Sequence, residues 1–195
     1  MSDILFSILI PTLEDRSDTL KKLIAFIEGQ ISSSGNSDCV EILTEVDNRE
    51  RTTGAKRNTL LQRAKGKLSA FVDDDDWLSD SYIEDIINII KSSEGLDCIG
   101  FFGNVYFSGT FHGNMIHTTL CDNWTCKGTT YYRPPNHLNP IRTELSKQIQ
   151  FKDITISEDF SWSMDLRSSG LIKNEVYLGN KPLYFYYCGG HIRTL

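Results

Sequence analysis

Four consecutive carboxylates, Asp73, Asp74, Asp75 and Asp76, close a short apolar run (Leu68, Ala70, Phe71, Val72) and are the residues of this chain best suited to chemistry. Adjacent carboxylates repel one another, so a fold that gathers them at a strand end is expected to bring a cation there. If the run stays extended, side chains alternate between faces, and Asp73 and Asp75 point the same way toward one divalent ion. Hard oxygen donors select Mg2+, Mn2+ or Ca2+ over zinc. An ion held by only one or two carboxylates keeps positions open for a phosphate-bearing ligand. The plainer alternative is a solvated acidic loop that caps the next helix.

The elements that would position these groups alternate between strand and helix patterns. An apolar, β-branched strand at 4–10 ends at Pro11, and Leu20, Leu23, Ile24 and Ile27 then recur at helical spacing. After a Ser, Gly and Asn-rich loop, a second strand at 40–46 ends at Asp47, a helix spans 53–64, and a third strand at 67–72 delivers the aspartates. Ser81 and Glu84 have the spacing of a capping box, ahead of a helix whose apolar face is Ile83, Ile86, Ile87 and Ile90. Strands linked by helices imply right-handed crossovers and a mainly parallel sheet, with ligands in the crevice beyond the carboxyl ends of the strands. Pro11-Thr12, Asp47 and the aspartate run all fall on that edge.

Beyond residue 97 the pattern becomes extended, with strands at 98–107 and 110–119 around Ser108-Gly109 and then a long polar and aromatic stretch to Pro140. The change near 97 reads as a change of role within one fold. The 195 residues, 39% of them hydrophobic, suffice for one sizeable core, and the net charge of −6 without a basic stripe argues against nucleic-acid binding. The opening MSDILFSILIPT has no basic segment, and its apolar run is too short for a signal peptide or a transmembrane segment, so a cytoplasmic protein is expected. Five scattered cysteines suit reduced thiols. His112, His117, Cys121 and Cys126 match no tight zinc spacing and read as buried or surface groups.

Three segments carry a resemblance to a known family. SILIPTLEDR, GAKRNTLLQRAKGKLSAFVDDDDWL and SEDFSWSMDLRSSG resemble, in order and over residues 7–170, the successive signatures of family 2 glycosyltransferases with the GT-A fold. The resemblance implies an α/β fold, a Rossmann-like, mainly parallel sheet flanked by helices with a small additional β region. It implies a single catalytic domain over 1–195, with a nucleotide-sugar-binding half (1–97) and an acceptor-binding half (98–195). The donor would be a nucleotide sugar, with a UDP-sugar favoured. Pro11, Thr12, Glu14 or Asp15, and Asp47 would lie around the base and ribose. Lys56 and Arg57 would face the nucleotide at a helix start, where positive charge suits an anion.

By the same resemblance, Asp73 and Asp74 would lie on the nucleotide side. Asp75 would be the main ligand of a Mn2+ or Mg2+ ion, with Asp73 beside it and His191 as a further ligand. Asp159 would take the proton of an acceptor hydroxyl, next to Glu158, and attack opposite the diphosphate would invert the anomeric carbon. The same Ser157-Glu158-Asp159 stretch also fits an ordinary helix start. Arg167 either matches a family arginine or pairs with an acid on the helix surface. Trp124, Trp162, His137 and Asn139 have the aromatic and amide chemistry that binds a carbohydrate or glycoconjugate acceptor, although the proline-rich segment 132–140 equally suits a rigid loop. A homodimer is among the arrangements expected to complete that side. Two other readings share some of these features: a non-catalytic carbohydrate or Ca2+-binding module, and a sugar nucleotidyltransferase. The latter should show a Gly-rich phosphate loop, which Pro11-Thr12-Leu13-Glu14 is not.

Overall fold

A computed structural model describes residues 3–188. Its first half is built from β1 (Phe6–Leu13), α1 (Ser17–Ser33), β2 (Val40–Asp47), α2 (Thr53–Arg63) and β3 (Leu68–Phe71). Both β2 and β3 pair with β1 in parallel, one on each side. The chain steps from β1 to β2 in one direction and back across β1 to β3 in the other. Right-handed crossovers therefore place α1 and α2 on opposite faces.

Period-two alternation along β1 matches that arrangement. Phe6, Ile8 and Ile10 join the core that holds Leu23 and Ile27 of α1, whereas Leu9 joins the core under Leu60 and Leu61 of α2. The end of β1, where the connections diverge, is a topological switch point and opens a crevice between the layers.

The strand does not stop at Pro11 but runs on to Leu13, opposite Asp47. Leu9 accepts from Val72 N–H on the β3 side, and Pro11, two residues on, turns its missing N–H to the same side, beyond the last β1–β3 pair at Leu9↔Phe71. No ladder hydrogen bond is lost.

After the aspartates come β4 (Trp77–Leu78), α3 (Tyr82–Ser92), β5 (Cys98–Phe107) and β6 (Thr110–His117), followed by β7 (Thr125–Lys127), β8 (Thr130–Arg133) and β9 (Ile141–Arg142). The short helix α4 (Thr143–Ser146), α5 (Glu158–Ser169), β10 (Glu175–Leu178) and β11 (Tyr184–Cys188) complete the described chain. The sheet order is β2-β1-β3-β9-β5-β6-β8-β7, with β10 and β11 parallel to β5 and β4 antiparallel to β11. Helices α1 and α3 cover one face, and α2 and α5 the other. Among the described residues no helix is long and apolar enough to cross a membrane. All five cysteines are free.

Helix α3 buries the four isoleucines that its spacing predicts, but the Ser81–Glu84 capping box does not form. Ser81 Oγ bonds to Asp85 instead (2.7 Å), and the helix start is held by Gln30 of α1, which accepts from Ile83 N–H (3.1 Å) and donates to Ser79 C=O (2.8 Å). Gln30→Leu should leave both buried backbone groups without partners and cost about 1–3 kcal/mol each at most, read as a lower urea midpoint.

Candidate functional site

The aspartate run does not stay extended. Asp76 N–H donates to Asp73 C=O (3.1 Å), closing a turn that sends the four carboxylates to four different places. Asp73 and Asp75 therefore do not share a face through strand alternation. Asp73 receives Arg57 Nη2 (2.9 Å) and lies 3.4 Å from His137 Nε2. Asp74, fully buried, is bonded by the Thr12 hydroxyl and by Arg16 Nη1, the latter at 2.6 Å. Asp76 points inward and accepts from Tyr184 OH (2.8 Å) and Tyr187 N–H (2.7 Å). Among the described residues, Asp75 alone of the four stays largely uncommitted, with its side chain 37% exposed and Arg16 at 3.4 Å.

Charge state follows these partners. Burial would raise the Asp73 pKa, but the Arg57 guanidinium and His137 outweigh it and hold the carboxyl below the usual range. Asp75 is raised by burial and by Asp73, with Arg16 opposing. Burial pushes Asp76 well above the ordinary value. The turn thus concentrates negative charge that the protein's own cations do not fully offset at Asp75.

Helix α2 supplies the main cations, and neither is solvated. Lys56 Nζ donates to Asp47 (2.7 Å) and Thr12 C=O (2.8 Å), locking the ends of β1 and β2 to the helix. Arg57 lies over Phe71 with its carbon 5.1 Å from the ring centroid, and its Nε reaches Glu158 at 3.2 Å. Its Nη1 is buried without a hydrogen-bond partner among the described residues. Gly54 lets the loop before α5 dock on the first turn of α2, since a Cβ there would sit 1.8 Å from Lys152 C=O. That approach brings Thr155 to the same opening.

The opening is a cleft of about 460 Å³ at the carboxyl ends of β1 and β3, a size suited to a small organic ligand. Pro11, Thr12, Lys56, Arg57, Asp73, Asp74, Asp75 and Glu158 line it, as do Leu13, Arg16, Arg49, Arg51, Thr53 and Thr155. Five cations line the cleft beside four carboxylates, and each of the five is ion-paired within the chain, so the lining carries dense charge of both signs.

A family model for glycosyl transferase family 2 matches residues 7–157. The chain belongs to that family. As a family 2 fold it is similar to S. aureus TarS 1–349 in complex with UDP-GlcNAc, with a TM-score of 0.64 at 16% identity over 95% of this chain and 59% of that one. It is also similar to the catalytic domain of Drosophila β1,4-galactosyltransferase 7 in complex with xylobiose, at TM-score 0.56 and 16% identity over 93% of this chain and 70% of that one. A third is glucosyl-3-phosphoglycerate synthase from Mycobacterium tuberculosis, in complex with Mn2+, UDP and phosphoglyceric acid, at TM-score 0.53 and 14% identity over 92% and 72%. At these identities the likeness establishes the GT-A fold, and the chain spans about three fifths of TarS 1–349. A search of curated sequences returns no match.

Several expected contacts belong elsewhere in this family 2 chain. Trp162 is 1% exposed, stacks on Phe151 at 4.8 Å and donates to Ile149 C=O, so it braces the ring beside Arg57 and does not face an acceptor. Asn139, also 1% exposed, pins the 136–139 turn to Ile99 C=O, and His137 is hidden against Asp73. Both are structural, because the proline-rich segment packs as an inner wall.

Glu158 is buried on Arg57 and is not free to move a proton. Asp15 pairs with Arg49 at 2.6 Å in the open, and Glu14 does not line the cleft. Arg167 pairs with Asp122, as a surface helix arginine does. His191 lies outside the described residues. Among those residues no three His, Cys, Asp or Glu side chains form a metal cluster, and His117 stacks on Phe101.

Arg16, Arg49, Arg51, Thr53 and Thr155 were not assigned from sequence. Arg16, Arg49 and Arg51 shared one usable signal, their position just after strand ends on the converging edge.

Proposed function

We propose that the protein transfers a sugar from a nucleotide-sugar donor to an acceptor hydroxyl, with inversion and with a divalent metal. The observation that carries the reading is the charged cleft at the switch point of a family 2 fold, lined by Arg16, Lys56 and Arg57 and by a largely uncommitted carboxylate, Asp75. UDP in two of the similar proteins favours a UDP-sugar.

The donor set fits Mn2+ or Mg2+. Asp75, with Asp73 beside it, offers hard oxygens, and an ion held by one or two carboxylates would take its remaining ligands from phosphate and water. Such an ion supplies Lewis-acid stabilisation of the charge that develops on the leaving diphosphate. The rest falls to the chain. Arg16 and the unpaired Nη1 of Arg57 offer donors to anionic oxygens. Thr12 and Lys56 fix the walls against which a nucleoside would lie. Asp159, in the first turn of α5 and partly exposed, is the carboxylate available to take the acceptor proton. Glu158 holds Arg57 in place beside it.

Thermal shift with UDP, GDP, dTDP and CMP, each with and without Mn2+, tests the reading. One nucleoside diphosphate at a hundredfold excess over its Kd should add about 2.7 kcal/mol. That is a rise in Tm of about 5–10 °C for a domain of this size. The rise should require Mn2+ and be lost in Asp75→Ala. Stabilisation by Mn2+ or Ca2+ alone, indifferent to every nucleotide, would instead mark a binding module without transfer activity.

A further inference from the structure

One cation near Asp159 takes no part in that scheme. Arg133, the last residue of β8, is half-buried, and among the described residues its guanidinium has neither an ion pair nor a hydrogen bond. It is nevertheless held in place. Its carbon lies 4.1 Å from the ring centroid of Trp124 and 6.0 Å from that of Tyr131. Trp124 is itself fixed, because Nε1 donates to Ser163 Oγ (3.2 Å), which donates to Pro135 C=O (3.0 Å), and Phe160 meets the ring edge-on at 5.4 Å.

Asp159 acts electrostatically on both Arg133 and Arg57. The two arginines differ in what holds them. Arg57 is bound to Asp73 and Glu158, whereas the plane of Arg133 is braced by aromatic faces and its N–H groups are left without carboxylate partners. Burial dominates its environment, outweighing Tyr186, Asp159, Tyr131 and Asp76, and lowers its pKa from the ordinary arginine value. A planar, oriented and unpaired guanidinium is suited to bidentate recognition of a phosphate or carboxylate.

We propose that the acceptor carries an anionic group, phosphate or carboxylate, which the Arg133 guanidinium binds beside the Trp124 and Tyr131 rings. This rests on the transferase reading, since only that reading makes the surroundings of Asp159 the acceptor side. The sequence marked Trp124 for its ring alone. The structure adds the charge that the ring presents.

Intrinsic fluorescence gives a direct readout, because Trp77 and Trp162 are 7% and 1% exposed and Trp124 is the more open of the three tryptophans. The full chain is titrated with glucose, glucose 6-phosphate and glucuronate, with and without UDP and Mg2+. At least one anionic sugar should bind tenfold or more tighter than glucose, and the better of the two identifies phosphate or carboxylate as the group read. Arg133→Met keeps an apolar stem against Trp124 and should reduce the preference to within twofold. Arg133→Lys should retain part of it.

Stabilisation by UDP should be unchanged in both variants, so loss of that response in the wild type sinks the transferase reading separately. Equal affinity for glucose and both anions, no binding of either anion, or a preference that survives in Arg133→Met overturns the inference. Should Arg133→Met fail to fold, the wild-type comparison and Arg133→Lys still decide it.

Discussion

Arg57→Met is expected to cost about 3–5 kcal/mol of unfolding free energy, the scale seen when one partner of a buried ion pair is removed. The guanidinium is fully enclosed, reaches Asp73 with Nη2 and Glu158 with Nε, and lies over Phe71. Methionine fills the space against the rings but leaves two carboxylates facing each other without their cation. Arg57→Lys should recover only part of the loss, because one ammonium cannot reproduce two donors set at a fixed angle toward different acids.

The pH dependence follows from the sign of the Asp73 shift. Its folded pKa is depressed, so its contribution is complete above the unfolded value near 3.8 and is lost as pH falls through the folded value. Wild-type stability should therefore hold from this source down to about pH 4. In Arg57→Met, Asp73 stays partly buried without its main counter-charge, so the variant should gain stability on going from pH 7 toward pH 5. Urea unfolding of both proteins at pH 7 and pH 5 measures this. A loss below about 1 kcal/mol at pH 7, the scale of a surface pair, would show that Arg57 is not the electrostatic centre of the site.

Where periodicity and strand ends carry the information, this sequence is legible. The apolar run of β1 and the isoleucine spacing of α3 reflect what each element buries; α3 buries the four isoleucines that its spacing names, whereas β1 forms from that run but continues past Pro11 to Leu13. The convergence of Pro11-Thr12, Asp47 and the aspartates follows from right-handed crossovers alone. What the pattern does not carry is contact across the fold. The cap of α3 comes from Gln30, some fifty residues earlier, so a local Ser-x-x-Glu spacing was no guide to it. Strands β4 and β9, two residues each, exist because β11, β3 and β5 offer them edges, and two residues hold no period.

The aspartate run shows the same limit at the site. Residue type announced a place that wants a cation, but an extended strand was the wrong geometry. The turn closed by Asp76 N–H assigns each carboxylate a separate partner, and that assignment depends on Arg57 of α2, Thr12 of β1, Arg16 of the turn between β1 and α1, and Tyr184 of β11. Trp162 and Asn139 were misplaced for a related reason. Aromatic and amide side chains that suit a sugar also suit an inner wall, and only burial separates the two roles.

The contrast between the paired acids at the start of α5 gives the other large expected effect. Asp159→Asn should lower turnover by about a hundredfold or more, within the range for loss of a general base, while donor KM and Tm change little. Asp159 is partly exposed and serves the fold mainly through its charge in the first turn of the helix, worth about 0.3–1 kcal/mol. Glu158→Gln should behave in the opposite way. Its carboxylate is buried on Arg57, so the change weakens a charge-assisted pair and lowers stability before it touches proton transfer.

Nucleoside diphosphate release at saturating donor and acceptor, followed together with thermal unfolding, separates the two outcomes. If Asp159→Asn keeps more than a tenth of wild-type turnover, the acceptor proton goes to another group. Asp159 would then be a helix-start residue whose place beside Arg57 and Arg133 serves binding alone.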